Sequence, residues 1–260
     1  MEYDGTDFCG FQFQPALRTV AGELESALSR LFARPVKVTA AGRTDAGVHA
    51  AGQVISFVSH DAFPVDKLSI ALNTSLPPDL SARDAARVEP EFSARNSALE
   101  RNYVYAVLNR RDPSAVLRRF AHHEYRPLDL EPMRASAQLL VGEHDFVTFC
   151  GVFPERGGTI RTVNAIDIER DGEIVRFGVR GAGFLHRMVR IIVGTLLDVG
   201  SGRATPSDVA AMLAARDRRS AGMTAPPQGL VLAGVRYANF SSAAPNFNWP
   251  PATAPEAALL

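Results

Sequence analysis

The chain has 260 residues, 46% of them apolar and 22% charged, and its 28 basic and 28 acidic side chains balance to zero. That content supports a sizeable packed core and excludes global disorder. The zero balance excludes an overall electrostatic pull toward nucleic acid or an anionic membrane, so any such attraction has to come from local distribution.

In chain order, Val20, Leu24, Leu28 and Leu31 recur at helical spacing behind Thr19, a natural N-cap, and Pro35 marks the end of this helix. VKVTA (36–40) and VISFV (54–58) read as strands on either side of a glycine-rich loop, AAGRTDAGVHA. A short helix follows at 65–72, closed by Pro77 and Pro78. NYVYAVL (102–108) is a strong strand, and residues 131–141 form a helix with Met133, Ala137 and Leu140 on one side. TVNAIDIE and EIVRFGVR flank Asp171-Gly172, a hairpin turn signal. A long buried helix is expected over 184–199 and another over 206–215, with Thr205 as N-cap and Pro206 at the first position. GLVLAGVRYA closes the fold as a strand.

Two α+β halves follow from this order: 1–95, which carries the AAGRTDAGVHA loop, and 96–240. Residues 241–260, rich in Ser, Ala, Pro and Asn, are expected to form a mobile tail on which Trp249 can dock. The mainly antiparallel strands of both halves should join into one large central sheet. Helices should cover one of its faces, and the active cleft should lie at the centre of the other.

Cys9 and Cys150 are far apart and outside any CxxC pair, so neither a disulfide framework nor a metal site is indicated. MEYDGTDF has no signal-peptide character. FLHRMVRIIVGTLLDVG, broken by Arg187, Arg190 and Asp198, is too polar to cross a bilayer. A reducing, cytoplasmic setting is expected, with no membrane partner. There is no Walker loop, no GxGxxG after a strand, no HExxH and no GxSxG, which disfavours nucleotide-cofactor and zinc chemistry.

The chemistry concentrates in the loop. Gly42 and Gly47 allow tight backbone geometry around Arg43-Thr44-Asp45. One reading is an Asx-turn with a solvated arginine; the other is an aspartate held at a cleft as nucleophile or base, with Arg43 as its cation or as a phosphate ligand. His49 fits a structural hydrogen-bonding role. Nearly all the basic side chains are arginines, Lys37 and Lys67 being the lysines. That bias suits a GC-rich coding sequence or phosphate recognition, and composition does not separate the two. Residues 95–126 carry seven arginines against three acidic residues, and residues 180–219 repeat that ratio, a distribution suited to a polyanion. Tyr103 and Tyr105 share one strand face beside Arg101, either as core residues or as a stacking platform for a base.

Six stretches in order carry a resemblance: YDGTDFCGFQFQP, AAGRTDAGVHA, FSARNSALERNYVYAV, GEHDFVTF, GAGFLHRMVRIIVGTLLDVG and TAPPQGLVLAGVRY. From Tyr3 to about Tyr237 the chain resembles the TruA family of tRNA pseudouridine synthases. The resemblance implies isomerisation of uridines 38, 39 and 40 in the tRNA anticodon stem-loop, by a homodimer without metal or small-molecule cofactor. It also implies that Asp45 is the nucleophile, that Arg43 displaces the target base, that Tyr103 stacks on it, and that Arg190 faces the aspartate. Family members commonly have an apolar strand before YDG and a tryptophan in GWQ; here Met1-Glu2 precede Tyr3, and Phe11 holds the aromatic position. A catalytically silent RNA-binding protein on the same fold is the alternative. A retaining glycosidase ranks last, because no second carboxylate motif stands near Asp45.

Overall fold

The computed structural model describes residues 1–59, 63–155, 157–243 and 247–250. The elements run β1 (Glu2–Tyr3), α1 (Val20–Leu31), β2 (Thr39–Ala40), β3 (His49–Ala50), β4 (Ile55–Ser56), α2 (Leu68–Asn73) and β5 (Leu80–Ser81). Next come β6 (Glu100–Asn109), β7 (His122–Glu124), α3 (Leu130–Gln138), β8 (Gly142–Asp145), β9 (Ile160–Asp171) and β10 (Ile174–Gly181). The chain ends with α4 (Met188–Gly200), α5 (Pro206–Ala215) and β11 (Leu230–Arg236). The fold is α+β. Among the described residues, nine strands hydrogen-bond in the order β5-β1-β3-β11-β6-β10-β9-β8, with β7 beside β6, and β2 and β4 form a separate ladder. Two compact units are present: Met1–Arg101 with Leu232–Pro245, and Asn102–Val231 with Asn246–Leu260.

In the first unit, α1 starts where expected, with the Thr19 hydroxyl accepting the Gly22 N–H at 3.2 Å. Its buried face supplies Ala27 and Leu28 to a core shared with Val36, Leu72 and Ala82. β1 is antiparallel to both β5 and β3, with Tyr3 opposite Leu80 and Ala50. The strand expected over 36–40 shrinks to β2 because α1 side chains take its amides. The Ser29 hydroxyl accepts Val36 N–H at 3.0 Å, and the Glu25 carboxylate accepts Val38 N–H at 3.2 Å. Those groups are therefore unavailable to a ladder. β3 lies inside the quoted glycine-rich stretch, so the loop itself spans only residues 41–48.

The second unit is built on the long antiparallel hairpin β9–β10, whose turn has Gly172 at φ +56°. α3 packs on α4, α5 and β9. The approach to α4 is close, since a Cβ on Gly200 would fall 2.3 Å from the Met133 sulfur. α5 begins with the Thr205/Asp208 capping box and Pro206. The helix expected from residue 184 starts at Met188, because Arg187 stands at φ +58°, a left-handed turn that hydrophobic periodicity does not reveal. α4 is buried on nearly every side yet has only 13 residues, and among the described residues no helix is long and apolar enough to cross a membrane.

Of the tail 241–260, residues 244–246 and 251–260 lie outside the described residues. The Ser242 hydroxyl binds Gly52 O at 2.6 Å in the first unit. In the second, Trp249 is buried, its indole N–H donates to Gly229 O at 3.0 Å, and its ring meets Phe120 edge-on.

Candidate active site

The loop between β2 and β3 is gripped by neighbours from far along the sequence. At its start, the buried Arg101 side chain donates to Ala41 O through Nε at 3.1 Å and Nη2 at 2.9 Å. The same guanidinium also serves the Ala98 and Arg95 carbonyls, so one planar fork ties the loop to the turn before β6. One residue on, Gln53 Nε2 donates to Gly42 O at 2.7 Å. The amide oxygen of Gln53 accepts Val54 N–H at 3.2 Å and lies 3.5 Å from Gly42 N.

Thr44 is held at two points. Its carbonyl accepts Phe11 N–H at 3.0 Å, and its hydroxyl lies 2.8 Å from the Tyr3 hydroxyl. Beyond it, Val48 N–H closes a β-turn onto Asp45 O at 3.1 Å, with Gly47 at φ +77° in the third position, where a side chain would be strained. Gly10, at φ +89°, lies so close that a Cβ there would be 3.0 Å from Thr44 O. Burial alternates along this segment: Arg43 exposed, Thr44 buried, Asp45 half-buried. The arginine and the aspartate are presented outward while the threonine turns into the core.

His49 is buried and has the structural role expected of it. Its Nδ1 lies 3.1 Å from Gly5 N and 3.2 Å from Asp4 Oδ1, and one nitrogen cannot accept from the first while donating to the second. The contact with His49, together with bonds from the Thr6 hydroxyl and N–H, holds the Asp4 carboxyl well below the usual range against burial, which raises it. The Thr6 bonds persist whichever partner Nδ1 serves.

The second unit holds Tyr103 and Arg190. Tyr103 lies on β6, buried, with its ring edge-on to Phe184 at 5.3 Å. Two residues on, Tyr105 is fully buried and donates to Pro226 O at 2.9 Å. Burial pushes its phenol far above the ordinary range, with the Arg190 charge opposing. Arg190 sits in the first turn of α4. Its Nε donates to Ala225 O at 2.8 Å, and its own carbonyl accepts Ala225 N–H at 3.0 Å. The segment 222–225 thus runs along α4, fixed further by Gly222 N–H on the Thr195 hydroxyl at 3.0 Å.

Arg43 and Asp45 are therefore brought together in one loop, and Tyr103 and Arg190 stand on β6 and α4 of the other unit. Part of the arginine content of the two basic segments is committed to partners within the fold. Arg110 pairs with Glu173, Arg126 with Glu124, Arg180 with Asp167, Arg203 with Asp198, Arg216 with Asp145 and Arg219 with Asp217, while Arg101 is spent on backbone carbonyls. Several of these acids lie outside the segments whose charge was summed. Sequence reasoning also passed over Tyr3, Thr44 and Gln53; the only local trace of them is the position of Thr44 between two polar residues.

Fold and loop define an α+β protein that presents one half-exposed carboxylate beside an arginine from a braced loop. Residues 1–95 and 136–238 match the family model described as tRNA pseudouridine synthase. Curated relatives named "tRNA pseudouridine synthase A" include one from Halalkalibacterium halodurans, 47% identical over 230 residues and 88% of each chain. Another, from Brevibacillus brevis, is 44% identical over 91% of this chain and 97% of its own. A third, from Methylobacterium nodulans, is 44% identical over 94% of this chain and 97% of its own. A chain in the crystal structure of a Cbf5-Nop10-Gar1 complex aligns at 14% identity over 77% of this chain and 54% of that one, with a TM-score of 0.32. The chain belongs to the tRNA pseudouridine synthase family.

Proposed function

We propose that this chain isomerises uridines 38, 39 and 40 of the tRNA anticodon stem-loop to pseudouridine, with Asp45 as nucleophile. The observation that carries the reading is the braced loop, which turns Asp45 and Arg43 outward in a chain of this family. A solvated turn needs no such bracing from Arg101, Gln53 and Tyr3. Pseudouridine formation breaks the bond between C1′ and N1, turns the freed uracil and joins C1′ to C5; C5 loses its hydrogen as a proton and N1 takes one up. Atoms balance without oxidant, reductant or group donor, so a carboxylate nucleophile suffices. The target base has to leave the stem. Arg43 fills the gap it leaves, Tyr103 stacks on the uracil, and Arg190 supplies a second cation for the carboxylate. The active species is a homodimer, and it uses no metal or organic cofactor.

Release of tritium from tRNA labelled at C5 of uridine tests this directly. Asp45→Asn should bind tRNA as the wild type does and lose release by at least about a thousandfold. Full release in that variant would remove Asp45 from the role. A wild-type protein that binds tRNA without releasing tritium would instead be a silent RNA-binding protein. Mapping of the modified positions, expected at 38, 39 and 40, tests the substrate.

A further inference from the structure

We propose that the Tyr3 hydroxyl is a positioning group for the catalytic loop, acting on Asp45 and Arg43 through Thr44; this rests on Asp45 being the nucleophile. The argument begins with Gln53, whose side chain is buried. Its amide orientation is set by three backbone groups: the oxygen faces the Val54 and Gly42 N–H groups, and the nitrogen faces the Gly42 carbonyl. The second hydrogen on Nε2 is then directed at the Tyr3 oxygen, 3.3 Å away. Either hydroxyl can donate across the 2.8 Å between Tyr3 and Thr44; with Gln53 already donating to the Tyr3 oxygen, donation from Tyr3 to Thr44 is the direction that also uses the phenol hydrogen. Burial pushes the Tyr3 phenol up to about 12, so the donor stays protonated through the neutral range.

This directed chain ends on the one residue between Arg43 and Asp45. With its hydroxyl held by Tyr3 and its carbonyl by Phe11 N–H, Thr44 has little freedom to turn about its own backbone. Such a turn would swing Arg43 and Asp45 together, since they leave the chain on the side opposite Thr44. Packing alone asks only for an aromatic ring at position 3, which phenylalanine would supply. The hydroxyl adds the aim.

The test compares Tyr3→Phe, Thr44→Val, Thr44→Ser and the double variant Tyr3→Phe/Thr44→Val. Tritium release gives kcat and KM, and tRNA binding and thermal midpoint are measured on the same proteins. Tyr3→Phe and Thr44→Val should each lower kcat about 10- to 100-fold, with KM and tRNA binding within about twofold. Thr44→Ser, which keeps the hydroxyl, should restore most of the rate. The double variant should be no slower than the slower single one, because both break the same bond. Unchanged kcat in Tyr3→Phe and Thr44→Val overturns the proposal, and so does a loss that vanishes when the assay is run well below the thermal midpoint. If Tyr3→Phe does not fold, the Thr44→Val and Thr44→Ser pair makes the same comparison from the other end of the bond. Asp45→Asn keeps the two readings apart. Activity in that variant removes the nucleophile assignment, whereas an inactive Asp45→Asn beside a fully active Tyr3→Phe removes only the positioning role.

Discussion

Gly194→Ala in α4 sets two physical effects against each other. Helix propensity alone favours alanine at an interior position by about 1 kcal/mol. The structure reverses the sign, because a Cβ on Gly194 would sit 1.8 Å from the Met223 carbonyl oxygen, where ordinary contact begins at 3.4 Å. Segment 222–225 would have to rise by roughly 1.5 Å to restore an ordinary contact distance. It is tied down by the Gly222 bond to Thr195 and by the paired bonds between Ala225 and Arg190, each 2.8 to 3.0 Å long. A rise of that size takes them out of hydrogen-bonding range. Three lost bonds at about 1 kcal/mol each, less the propensity gain, leave a net destabilisation of about 2 kcal/mol, and overpacking strain takes it to about 4. The thermal midpoint should fall by roughly 5 to 15 °C. Arg190 would also lose the carbonyl that orients its Nε, so kcat should fall while tRNA affinity holds. Calorimetry and tritium release check both points. A variant with a raised midpoint would refute the reasoning, since propensity would then outweigh the contact.

Three further predictions follow from single contacts. Thr148 is fully buried, and its hydroxyl has no hydrogen-bond partner among the described residues, so Thr148→Val should gain about 1 kcal/mol in chemical denaturation. A loss would mean that the hydroxyl is bonded after all. The Asp4 carboxyl is depressed in the folded state, so its stabilising contribution is fully present above the unfolded value of about 4 and is lost as pH falls from there toward the folded value. Urea unfolding of Asp4→Asn should accordingly show a flatter decline than wild type below about pH 5, and parallel curves would contradict this. Arg101→Lys keeps the charge but replaces a fork of three nitrogens with one, whose donors all start from a single point and cannot span carbonyls met separately by Nε, Nη1 and Nη2; a stability loss of about 2 to 4 kcal/mol and a drop in kcat are expected, measured by denaturation and tritium release.

What the sequence disclosed was local. Thr19 before Val20, Thr205-Pro206 and Asp171-Gly172 announce their caps and turn because the partners lie within a few residues. NYVYAVL needs only its own alternation. The two-residue strands β1, β3 and β5 carry no period, and VKVTA lost its amides to side chains of a helix several residues earlier. The site divides in the same way. Arg43 and Asp45 stand out because they are polar residues among glycines. Tyr3 and Arg101 reach the loop across 41 and 60 residues, as the bonds Tyr3–Thr44 and Arg101–Ala41 record, Gln53 reaches Gly42 across 11, and no pattern along the chain marks such contacts. Summed charge along the arginine-rich segments does not show partners such as Glu173 and Asp145, which lie outside them.

Met223 separates two things that usually travel together. Its carbonyl is pressed against α4, while the residue as a whole is 83% exposed. Backbone position is therefore constrained there and side-chain identity is not, so substitutions should be tolerated freely provided the main chain keeps its course. A cysteine at 223, in a background where the exposed Cys9 is replaced and the buried Cys150 is left alone, becomes an attachment point for a spin label or fluorophore. Such a probe would sit in solvent and report directly on the segment that holds Arg190.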